Sequence, residues 1–266
     1  MNRMTYTHGH HESVLRSHRW RTVENSAAYV AARFVPGARV LDIGCGPGTI
    51  TLDIARRVAP GGNVIGIDQS AEVIEAAATE AEGVENVSFA TGDVYALEFD
   101  DASFDVVHAH QVLQHLPDPV GALREMRRVC KPDGVVAARD GDYAAFTWYP
   151  HDDGLDAWLD LYERIARANR GEPDSGRHLL AWAHAAGFRD VTPSASVWCH
   201  ATPEERAWWG GLWADRITTS AIATQAERDG FATRSELETM GDAWRKWATD
   251  PDAWFAVLHG EIVCVP

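Results

Sequence analysis

Cysteine is scarce in this chain of 266 residues, and no two cysteines stand close together. The four of them are Cys45, Cys130, Cys199 and Cys264, and they form no CxxC pair. This spacing is typical of reduced thiols, and it predicts neither a disulfide framework nor a zinc site. No apolar run approaches the roughly 20 residues of a membrane-spanning helix, and the first residues are too polar for a signal peptide. We therefore expect a cytoplasmic protein without a membrane partner.

Positive charge is also in short supply. Lysine and arginine together number 24 against 39 aspartates and glutamates, which gives a formal net charge of −15. Nucleic acids and anionic membranes attract basic surfaces, so we expect no nucleic-acid partner. The hydrophobic fraction of 45% is that of an ordinary globular protein with a sizeable core. The length fits one large domain or two small ones.

Short apolar runs alternate with amphipathic segments between residues 39 and 140. The runs are RVLDI (39–43), NVIGI (63–67), NVSFAT (86–91), FDVVHAH (104–110) and GVVAARD (134–140). This alternation predicts βαβ units and a parallel sheet. Before it, the spacing of Ala27, Val30, Ala31 and Phe34 predicts a helix with one buried face. KPDG (131–134) predicts a turn between the helix before it and the fifth strand.

Beyond Tyr143 the chain becomes aromatic and helical, and ten of the eleven tryptophans lie there. TPEE (202–205) and TRSE (233–236) match the capping box, in which a hydroxyl residue is followed three positions later by glutamate. Two strand-like pieces remain, at 190–198 and 261–265. The pattern predicts a helical insertion over 200–258, ahead of the last strand.

A glycine-rich loop, VLDIGCGPGTI (40–50), joins the first strand to a helix. Its glycines let the backbone approach a ligand closely, and the helix that follows presents free N–H groups. Asp42 ends the first strand, Asp68 ends the second and Asp93 follows the third. Open α/β sheets bind ligands at these strand ends, where Asp68 can accept hydrogen bonds from ribose hydroxyls and Asp93 from an adenine amino group, with Val94 against the ring.

Several segments in this order resemble the class I S-adenosylmethionine-dependent methyltransferases, in particular small-molecule enzymes of the ubiquinone-methyltransferase type. They are LDIGCGPG (41–48), IDQS (67–70), TGDV (91–94), FDVVHAHQVLQHLPDP (104–119) and LREMRRVCKPDGVV (123–136), and they cover roughly residues 36–140. The resemblance implies an α/β fold with a doubly wound, mostly parallel, Rossmann-like sheet. It also implies S-adenosylmethionine as cofactor, S-adenosylhomocysteine as product, a small-molecule acceptor, and a monomer or homodimer.

The resemblance also implies roles for individual residues. Gly44 and Gly46 flank the methionine moiety, Asp68 binds ribose, Asp93 binds adenine, and Asp42 holds the cofactor side through the loop. The full set expected around the cofactor is Asp42, Gly44, Cys45, Gly46, Asp68, Gln69, Gly92, Asp93, Val94, His110, Gln111 and Arg21. We interpret Cys45 as a small buried residue and not as a nucleophile, since methyl transfer needs none.

Four histidines crowd the segment THGHHESVLRSHRWRT (7–22). The segment lacks HExxH and has no cysteine nearby, so no metal site is predicted. It is similar to the N-terminal lid of small-molecule methyltransferases from actinobacteria and fungi, some of which S-methylate dithiol natural products. This likeness implies an N-terminal helical lid and a thiol acceptor. It makes His11 and His18 candidates for acceptor deprotonation, with Tyr6, His8 and His10 on the acceptor side.

Further candidates come from the strand ends and the aromatic region. His115 is either a base near the acceptor or a histidine that hydrogen-bonds loop backbone. The expected acceptor side includes Asp140, Asp142, Trp148, Trp209 and Trp213. Tryptophans at helical spacing are also typical of a hydrophobic core, and both interpretations stay open. We expect a lid over 1–34, a cofactor-binding core over 35–143 and acceptor-side helices with the last strands over 144–266.

An NAD-dependent oxidoreductase also uses a glycine loop and a carboxylate that binds ribose. An NAD-dependent oxidoreductase predicts GxGxxG and a later Tyr-x-x-x-Lys pair. Position 49 is threonine, and neither Lys131 nor Lys246 has a tyrosine four residues before it. O- or C-methylation of a phenol or quinone remains open as an alternative to S-methylation, and so does a catalytically silent protein that binds the cofactor.

Overall fold

One sheet of eight strands runs through residues 20–266, the part of the chain that the computed structural model describes. Its strands are β1 (Arg39–Ile43), β2 (Asn63–Asp68), β3 (Val87–Thr91), β4 (Phe104–His110), β5 (Cys130–Gly141), β6 (Thr147–Tyr149), β7 (Asp190–His200) and β8 (Trp254–Val265). Their order is β3-β2-β1-β4-β5-β8-β6, with β7 also paired to β8. The strands from β1 to β5 pair in parallel, whereas β8 is antiparallel to β5, β6 and β7. The predicted mostly parallel α/β sheet is confirmed.

Helices of the described region connect these strands. They are α1 (Val23–Ser26), α2 (Thr49–Val58), α3 (Ala71–Glu80), α4 (Pro119–Val129), α5 (Asp153–Ala168), α6 (Ser175–Ala185), α7 (Pro203–Thr219), α8 (Ala221–Arg228) and α9 (Arg234–Thr249). Short 3-10 helices lie over Ala28–Arg33, Leu113–His115 and Tyr143–Ala145. The capping boxes at Thr202 and Thr233 are both present, so the predicted starts of α7 and α9 are confirmed.

Three details of the sequence analysis were wrong. The helix predicted around residues 27–34 is broken at Ala27, whose φ is −138°, into α1 and a 3-10 helix. KPDG lies within the bounds of β5, where the register shifts from Phe104↔Cys130 to Val106↔Val135. The last strand begins at Trp254 and not at Glu261, because its first half is apolar at both alternating positions and shows no contrast of period two.

The central strands β1, β4 and β5 are buried on both faces of the sheet. Successive side chains of each strand point to opposite faces. Val40, Val106 and Ala137 pack on α2 and on the residues from Val23 to Phe34. Leu41 and Val107 point to the other face, which α4 and α6 cover. A third core, called here the aromatic core, joins α5 and α7–α9 to Phe255 on β8. No helix among residues 20–266 is long and apolar enough to cross a membrane.

Candidate active site

The glycine loop after β1 has a backbone that few other residues could adopt. Gly44, Gly46 and Gly48 have φ values of +63°, +54° and +80°, and Gly48 caps the start of α2. A Cβ atom on Gly44 would lie 2.5 Å from Cγ2 of Val112. Positive φ and close approach together require glycine at this position. The loop therefore brings bare backbone and the N-terminal N–H groups of α2 to the carboxyl ends of the strands.

Asp42 is buried, and both of its oxygens are used within the protein. Oδ2 accepts a hydrogen bond of 2.6 Å from Oγ1 of Thr51, and Oδ1 lies 2.8 Å from Nδ1 of His108. Thr51 is on α2 and His108 is on β4. Asp42 therefore anchors the structure on both sides of the glycine loop. Sequence reasoning did not single out Thr51 or His108.

Asp68 lies directly against this loop. Its Oδ2 accepts a hydrogen bond of 3.2 Å from the N–H of Gly46, and its Oδ1 accepts one of 3.0 Å from the N–H of Ser70. The side chain is only half-buried, and each oxygen keeps capacity for a further donor. Gln69 is exposed beside it. The structure thus brings the carboxylate predicted for ribose next to the glycine loop.

Cys45 and the third strand complete this part of the site. Burial raises the pKa of the Cys45 thiol well above its ordinary value, so the thiol stays protonated and unreactive. The N–H of Gly92 donates to the carbonyl of Asp68 at 3.0 Å. Asp93 is exposed and accepts a hydrogen bond from the N–H of Tyr95, and Val94 is buried beside it. The predicted cofactor residues from β1, β2 and β3 therefore lie together at one edge of the sheet.

Gln111 follows β4 with a φ of +54°, which is uncommon for a residue with a side chain. Its N–H donates to the carbonyl of Arg139 at 2.7 Å. Its side-chain Oε1 accepts a hydrogen bond from Nη2 of Arg21, and its Nε2 lies 2.9 Å from Nε2 of His259. Gln111 thus links the segment before α1 to β5 and β8. Residues held in such a conformation by surrounding contacts cluster at functional sites.

A layer of histidine and tryptophan side chains lies beside Gln111. We call His110, Trp198, His200 and His259 the histidine–tryptophan wall. The ring of Trp198 is 5.7 Å from His110 and 4.4 Å from His259, and Trp20 packs on both Trp198 and His200. Of the four residues of the wall, only His110 was predicted from the sequence. The other three come from β7 and β8, far along the chain.

Two imidazoles of the wall have polar atoms that the rest of the described chain does not satisfy. His110 and His200 are 5% and 1% exposed, and within residues 20–266 neither ring nitrogen of either residue has a hydrogen-bond partner. Desolvation lowers the pKa of His110 well below its ordinary value and that of His200 to about 4. Both rings are therefore neutral near pH 7. Buried polar groups normally have partners, so such atoms indicate a place for a ligand.

Arg139 supports the wall from beneath. Its guanidinium lies 4.7 Å from the Trp198 ring centroid and donates to Glu261 and to Ser196. Burial lowers its pKa to about 10, against the opposing effect of Glu261, so it stays charged at neutral pH. Arg21 lies 5.8 Å from the same ring centroid. The wall is thus neutral in its imidazoles and flanked by two cations.

The predicted residues at and beyond the ends of β4 and β5 are His115, Asp140 and Asp142, and their surroundings differ from one another. Nε2 of Gln114 lies 3.1 Å from Nε2 of His115, and desolvation lowers the pKa of His115 to about 3, with Arg21 adding to the effect. Asp142 is bound by Arg177 through both carboxylate oxygens. Asp140 is fully buried, and its Oδ1 accepts a hydrogen bond of 3.1 Å from the N–H of Gln114. Of the two aspartates, Asp142 is thus occupied by a salt bridge.

The three predicted tryptophans belong to the aromatic core. Trp213 is 1% exposed and lies between Trp158 and Trp244, at centroid distances of 4.6 and 6.1 Å. Trp148 stacks on Phe255 at 5.4 Å. Trp209 stacks on His200 at 4.4 Å and so joins the core to the wall. Of the three, only Trp209 is in contact with the candidate site.

The remaining predicted residues lie outside the described part of the chain. They are Tyr6, His8, His10, His11 and His18, whereas Trp20 and Arg21 are the first described residues. Arg21 lies at the predicted cofactor edge, since it contacts Gln111.

Comparison with known families gives a match over most of the chain. The sequence model of a family described as a methyltransferase domain matches residues 34–221. An uncharacterised methyltransferase of Schizosaccharomyces pombe is 35% identical over 98% of this chain and 96% of its own length. A probable methyltransferase of Aspergillus luteorubrus is 31% identical over 97% of this chain and 96% of its own. A demethylmenaquinone methyltransferase of Staphylococcus aureus is 41% identical over 38% of this chain and 42% of its own.

Solved structures show the same fold. The YcgJ protein of Bacillus subtilis has a TM-score of 0.55 at 20% identity and is matched over 90% of this chain and 96% of that one. A phosphoethanolamine N-methyltransferase of Haemonchus contortus, solved with phosphomonomethylethanolamine and S-adenosylhomocysteine, has a TM-score of 0.55 at 18% identity and is matched over 90% of this chain and 51% of that one. The chain therefore belongs to the class I S-adenosylmethionine-dependent methyltransferases, and it is an enzyme that uses S-adenosylmethionine.

Proposed function

We propose that this enzyme methylates a small, apolar or aromatic molecule, and that the accepting atom is a thiol sulfur, as in dithiol natural products. The observation that carries the proposal is the histidine–tryptophan wall beside Arg21 and Gln111. It brings aromatic rings and unsatisfied polar atoms together at the carboxyl ends of β4 and β7, next to the middle of β8. Small-molecule sites combine these two features.

The chain's own residues fit S-adenosylmethionine at the neighbouring strand ends. The positive φ of Gly44 and Gly46 requires residues without side chains at these positions, so bare backbone lies next to the half-buried carboxylate of Asp68. We propose that Gly44, Cys45 and Gly46 flank the methionine moiety, that Asp68 and Gln69 bind ribose, and that Gly92, Asp93 and Val94 bind adenine. His110, Gln111 and Arg21 then close the cofactor edge. The cofactor supplies the electrophilic methyl group and leaves as S-adenosylhomocysteine.

The wall would bind the acceptor. Trp20 is 37% exposed and packs edge to face on Trp198, and aromatic ligands bind against such rings. A neutral imidazole has one donor and one acceptor nitrogen, so His110 and His200 can each exchange hydrogen bonds with polar groups of the acceptor. Trp209 supports His200 from behind. A planar acceptor with polar groups at its edge satisfies these surroundings.

A thiol suits this site better than a more weakly acidic group. The pKa of a free thiol is about 8.5 and that of a phenol about 10, so a thiol needs less help to ionise. The imidazoles of the wall and His115 hold protons poorly, since their pKa values are lowered. The guanidinium of Arg21, fixed on Gln111, would favour a thiolate over a neutral thiol. A base of modest strength is therefore sufficient.

A phenol or quinone is the second candidate acceptor. Its support is the match to the demethylmenaquinone methyltransferase of Staphylococcus aureus, which covers 38% of this chain. That match leaves most of the chain uncovered, including residues that form the wall. O- or C-methylation therefore ranks below S-methylation.

These roles assign a separate part of the site to each of three segments of the chain. We propose that residues 1–34 act as a lid, that 35–143 bind the cofactor, and that 144–266 supply the acceptor side. Tyr6, His8, His10, His11 and His18 belong to that lid. Supporting the proposal, the described end of this segment already reaches the site, since Arg21 contacts Gln111 and Trp20 contacts Trp198.

A panel of acceptors tests the proposal directly. The enzyme is incubated with S-adenosylmethionine and with separate thiols, phenols, quinones and amines, and both products are followed by mass spectrometry. We expect S-adenosylhomocysteine together with a methyl thioether. Turnover of phenols or quinones without any thiol would overturn the thiol assignment. Cofactor binding without turnover of any acceptor would identify a silent binder.

A variant of the wall separates acceptor binding from cofactor binding. We expect Trp198→Ala to raise the KM for the acceptor at least tenfold while the Kd for S-adenosylhomocysteine changes little. The matched control is Trp182→Ala, because Trp182 lies on α6 and stacks on His178, away from the wall. Equal effects of the two substitutions on KM would refute the wall as the acceptor site.

A further inference from the structure

Asp140 carries a buried oxygen atom that the described chain leaves unsatisfied. The residue lies near the carboxyl end of β5 and is 0% exposed. Oδ1 is fixed by the N–H of Gln114 at 3.1 Å, whereas Oδ2 has no hydrogen-bond partner within residues 20–266. An unsatisfied carboxylate oxygen away from water is costly, and in native proteins it calls for an explanation such as a catalytic role.

The position of Asp140 relates it to the candidate site. Its neighbour Arg139 pairs with His110 across β4 and β5, and the N–H of Gln111 donates to the Arg139 carbonyl. The backbone of Asp140 therefore lies level with Gln111 at the strand ends, and its carboxyl group is close enough to Arg21 to interact with it electrostatically. Arg139 on β5 and Arg21 before α1 both act on the Asp140 carboxyl group and lower its pKa. Asp140 in turn raises the pKa of Tyr29, which lies on the 3-10 helix after α1.

Burial sets the proton affinity of this carboxyl group. Desolvation raises the pKa of Asp140 to about 7, against the opposing effects of the backbone N–H groups of Gln114 and Leu113 and of the two arginines. A general base works best when its pKa lies near the working pH. His115, with a pKa of about 3, and His200, with a pKa of about 4, are much weaker bases. The neighbouring carboxylate of Asp142 is already bound by Arg177.

We propose that Asp140 is the residue that removes the acceptor's proton, through Oδ2. The inference rests on the proposed function, since it assumes an acceptor that carries an acidic hydrogen. The S–H bond of the acceptor breaks, its proton forms an O–H bond with Oδ2, and its electron pair stays on sulfur for the incoming methyl group. Water takes the proton from Asp140 after the methylated product has left. Gln114 holds the other oxygen and so fixes the orientation of the carboxyl group.

The test compares acceptors of unequal acidity. Asp140→Asn keeps the shape of the side chain and an oxygen for the Gln114 N–H, but it cannot accept a proton. With an alkanethiol, which is mostly protonated at pH 7, we expect kcat to fall about 100-fold, within the usual range for a general base. With an arenethiol bearing a nitro group, which is already ionised, we expect kcat to change less than threefold. A structural role alone would lower both rates by the same factor.

Controls keep the outcomes distinct. Titration with S-adenosylhomocysteine shows whether Asp140→Asn still folds and binds the cofactor. Asp105→Asn is the matched carboxylate control, because Asp105 binds Lys131 and the N–H of Arg39 near the other end of the strands. Equal losses with both thiols, or an unchanged rate with the alkanethiol, overturn the role of Asp140. If the wild type methylates phenols instead of thiols, the thiol proposal fails, and phenol with nitrophenol supplies the same comparison for Asp140.

Discussion

Asp42 and His108 face each other across β1 and β4, with 2.8 Å between Oδ1 of the aspartate and Nδ1 of the histidine. Both side chains are buried, and Thr51 on α2 donates to the second oxygen of Asp42. The carboxylate therefore connects two strands and a helix at the base of the glycine loop. We expect Asp42 to act on cofactor binding only indirectly, through the position of the loop, as the resemblance implies.

Removing the hydroxyl group of Thr51 tests this arrangement. Thr51→Val leaves Oδ2 of Asp42 buried without its donor, and such a loss typically costs about 1–3 kcal/mol. We expect the free energy of unfolding in urea to fall by that amount and the Kd for S-adenosylhomocysteine to rise. Thr79→Val is the control, since Thr79 is exposed on α3 and its hydroxyl bonds only within that helix. A Thr51 variant as stable as the control would contradict the anchoring role.

Asp68 is expected to contribute to cofactor affinity through direct contacts. Asp68→Ala removes the acceptor of the Gly46 N–H and the proposed partner of the ribose hydroxyls. Hydrogen bonds to a charged group are worth about 1.5–3 kcal/mol each, so we expect the Kd for S-adenosylmethionine to rise at least tenfold. Calorimetric titration measures the change. Glu72→Ala, on the exposed surface of α3, should leave the Kd unaltered, and a similar loss there would point to general electrostatics.

Gly44→Ala should cause a loss of stability that a second substitution partly reverses. Gly44→Ala combines a φ of +63° with a Cβ atom 2.5 Å from Cγ2 of Val112. We expect lower stability and weaker cofactor binding. In the double variant with Val112→Ala the contact is relieved, and only the strain of the left-handed backbone remains, about 1 kcal/mol. Urea unfolding of all four proteins in this cycle measures the recovery. Strictly additive effects would show that the two residues do not interact.

The strand-end positions of the proposed cofactor residues could be predicted from the sequence because local patterns set them. Asp42, Asp68 and Asp93 each follow a short apolar run, and parallel strands bring those ends to one edge of the sheet. The starts of α7 and α9 were clear from their capping residues, Thr202 and Thr233, whereas the first half of β8 was predicted as helix.

The acceptor half could not be predicted in the same way. His259 reaches Gln111, and Trp198 reaches His110, only because β8 pairs antiparallel with β5 and β7 in one particular register, Arg139↔Glu261 and Ser196↔His259. Such long-range pairing has no local signal. The unsatisfied nitrogens of His110 and His200 likewise follow from packing and not from residue type.

The N-terminal segment gives a prediction about turnover. Deleting residues 1–19 should abolish methyl transfer, because the proposed lid excludes water and orients the acceptor. The fold should survive, since Val23, Ala27 and Val30 still cover the sheet. Activity and thermal unfolding of the truncated chain are measured side by side. Full activity after the deletion would refute the lid, and loss of folding would show that the segment is structural.

The buried carboxyl group of Asp140 predicts how stability depends on pH. Its pKa is about 7 in the folded chain and about 3.9 in the unfolded one, so between these values the folded state binds more protons. The free energy of unfolding should therefore fall as the pH rises from about 4 to 7. Asp140→Asn removes this dependence. The variant should match the wild type near pH 4 and exceed it above pH 7 by an amount on the order of a few kcal/mol.

Asp142, two positions further along the chain, provides the opposite case. Its carboxylate is buried but bound by Arg177, so Asp142→Asn breaks a salt bridge and should destabilise the protein at neutral pH. Urea unfolding of both variants between pH 5 and 8 gives the comparison, since a gain for Asp140→Asn and a loss for Asp142→Asn cannot both arise from a general effect of removing negative charge. Destabilisation by Asp140→Asn at pH 8 would mean that the Asp140 carboxylate is stabilised by the fold, and its assignment as a base poised near neutral pH would fall.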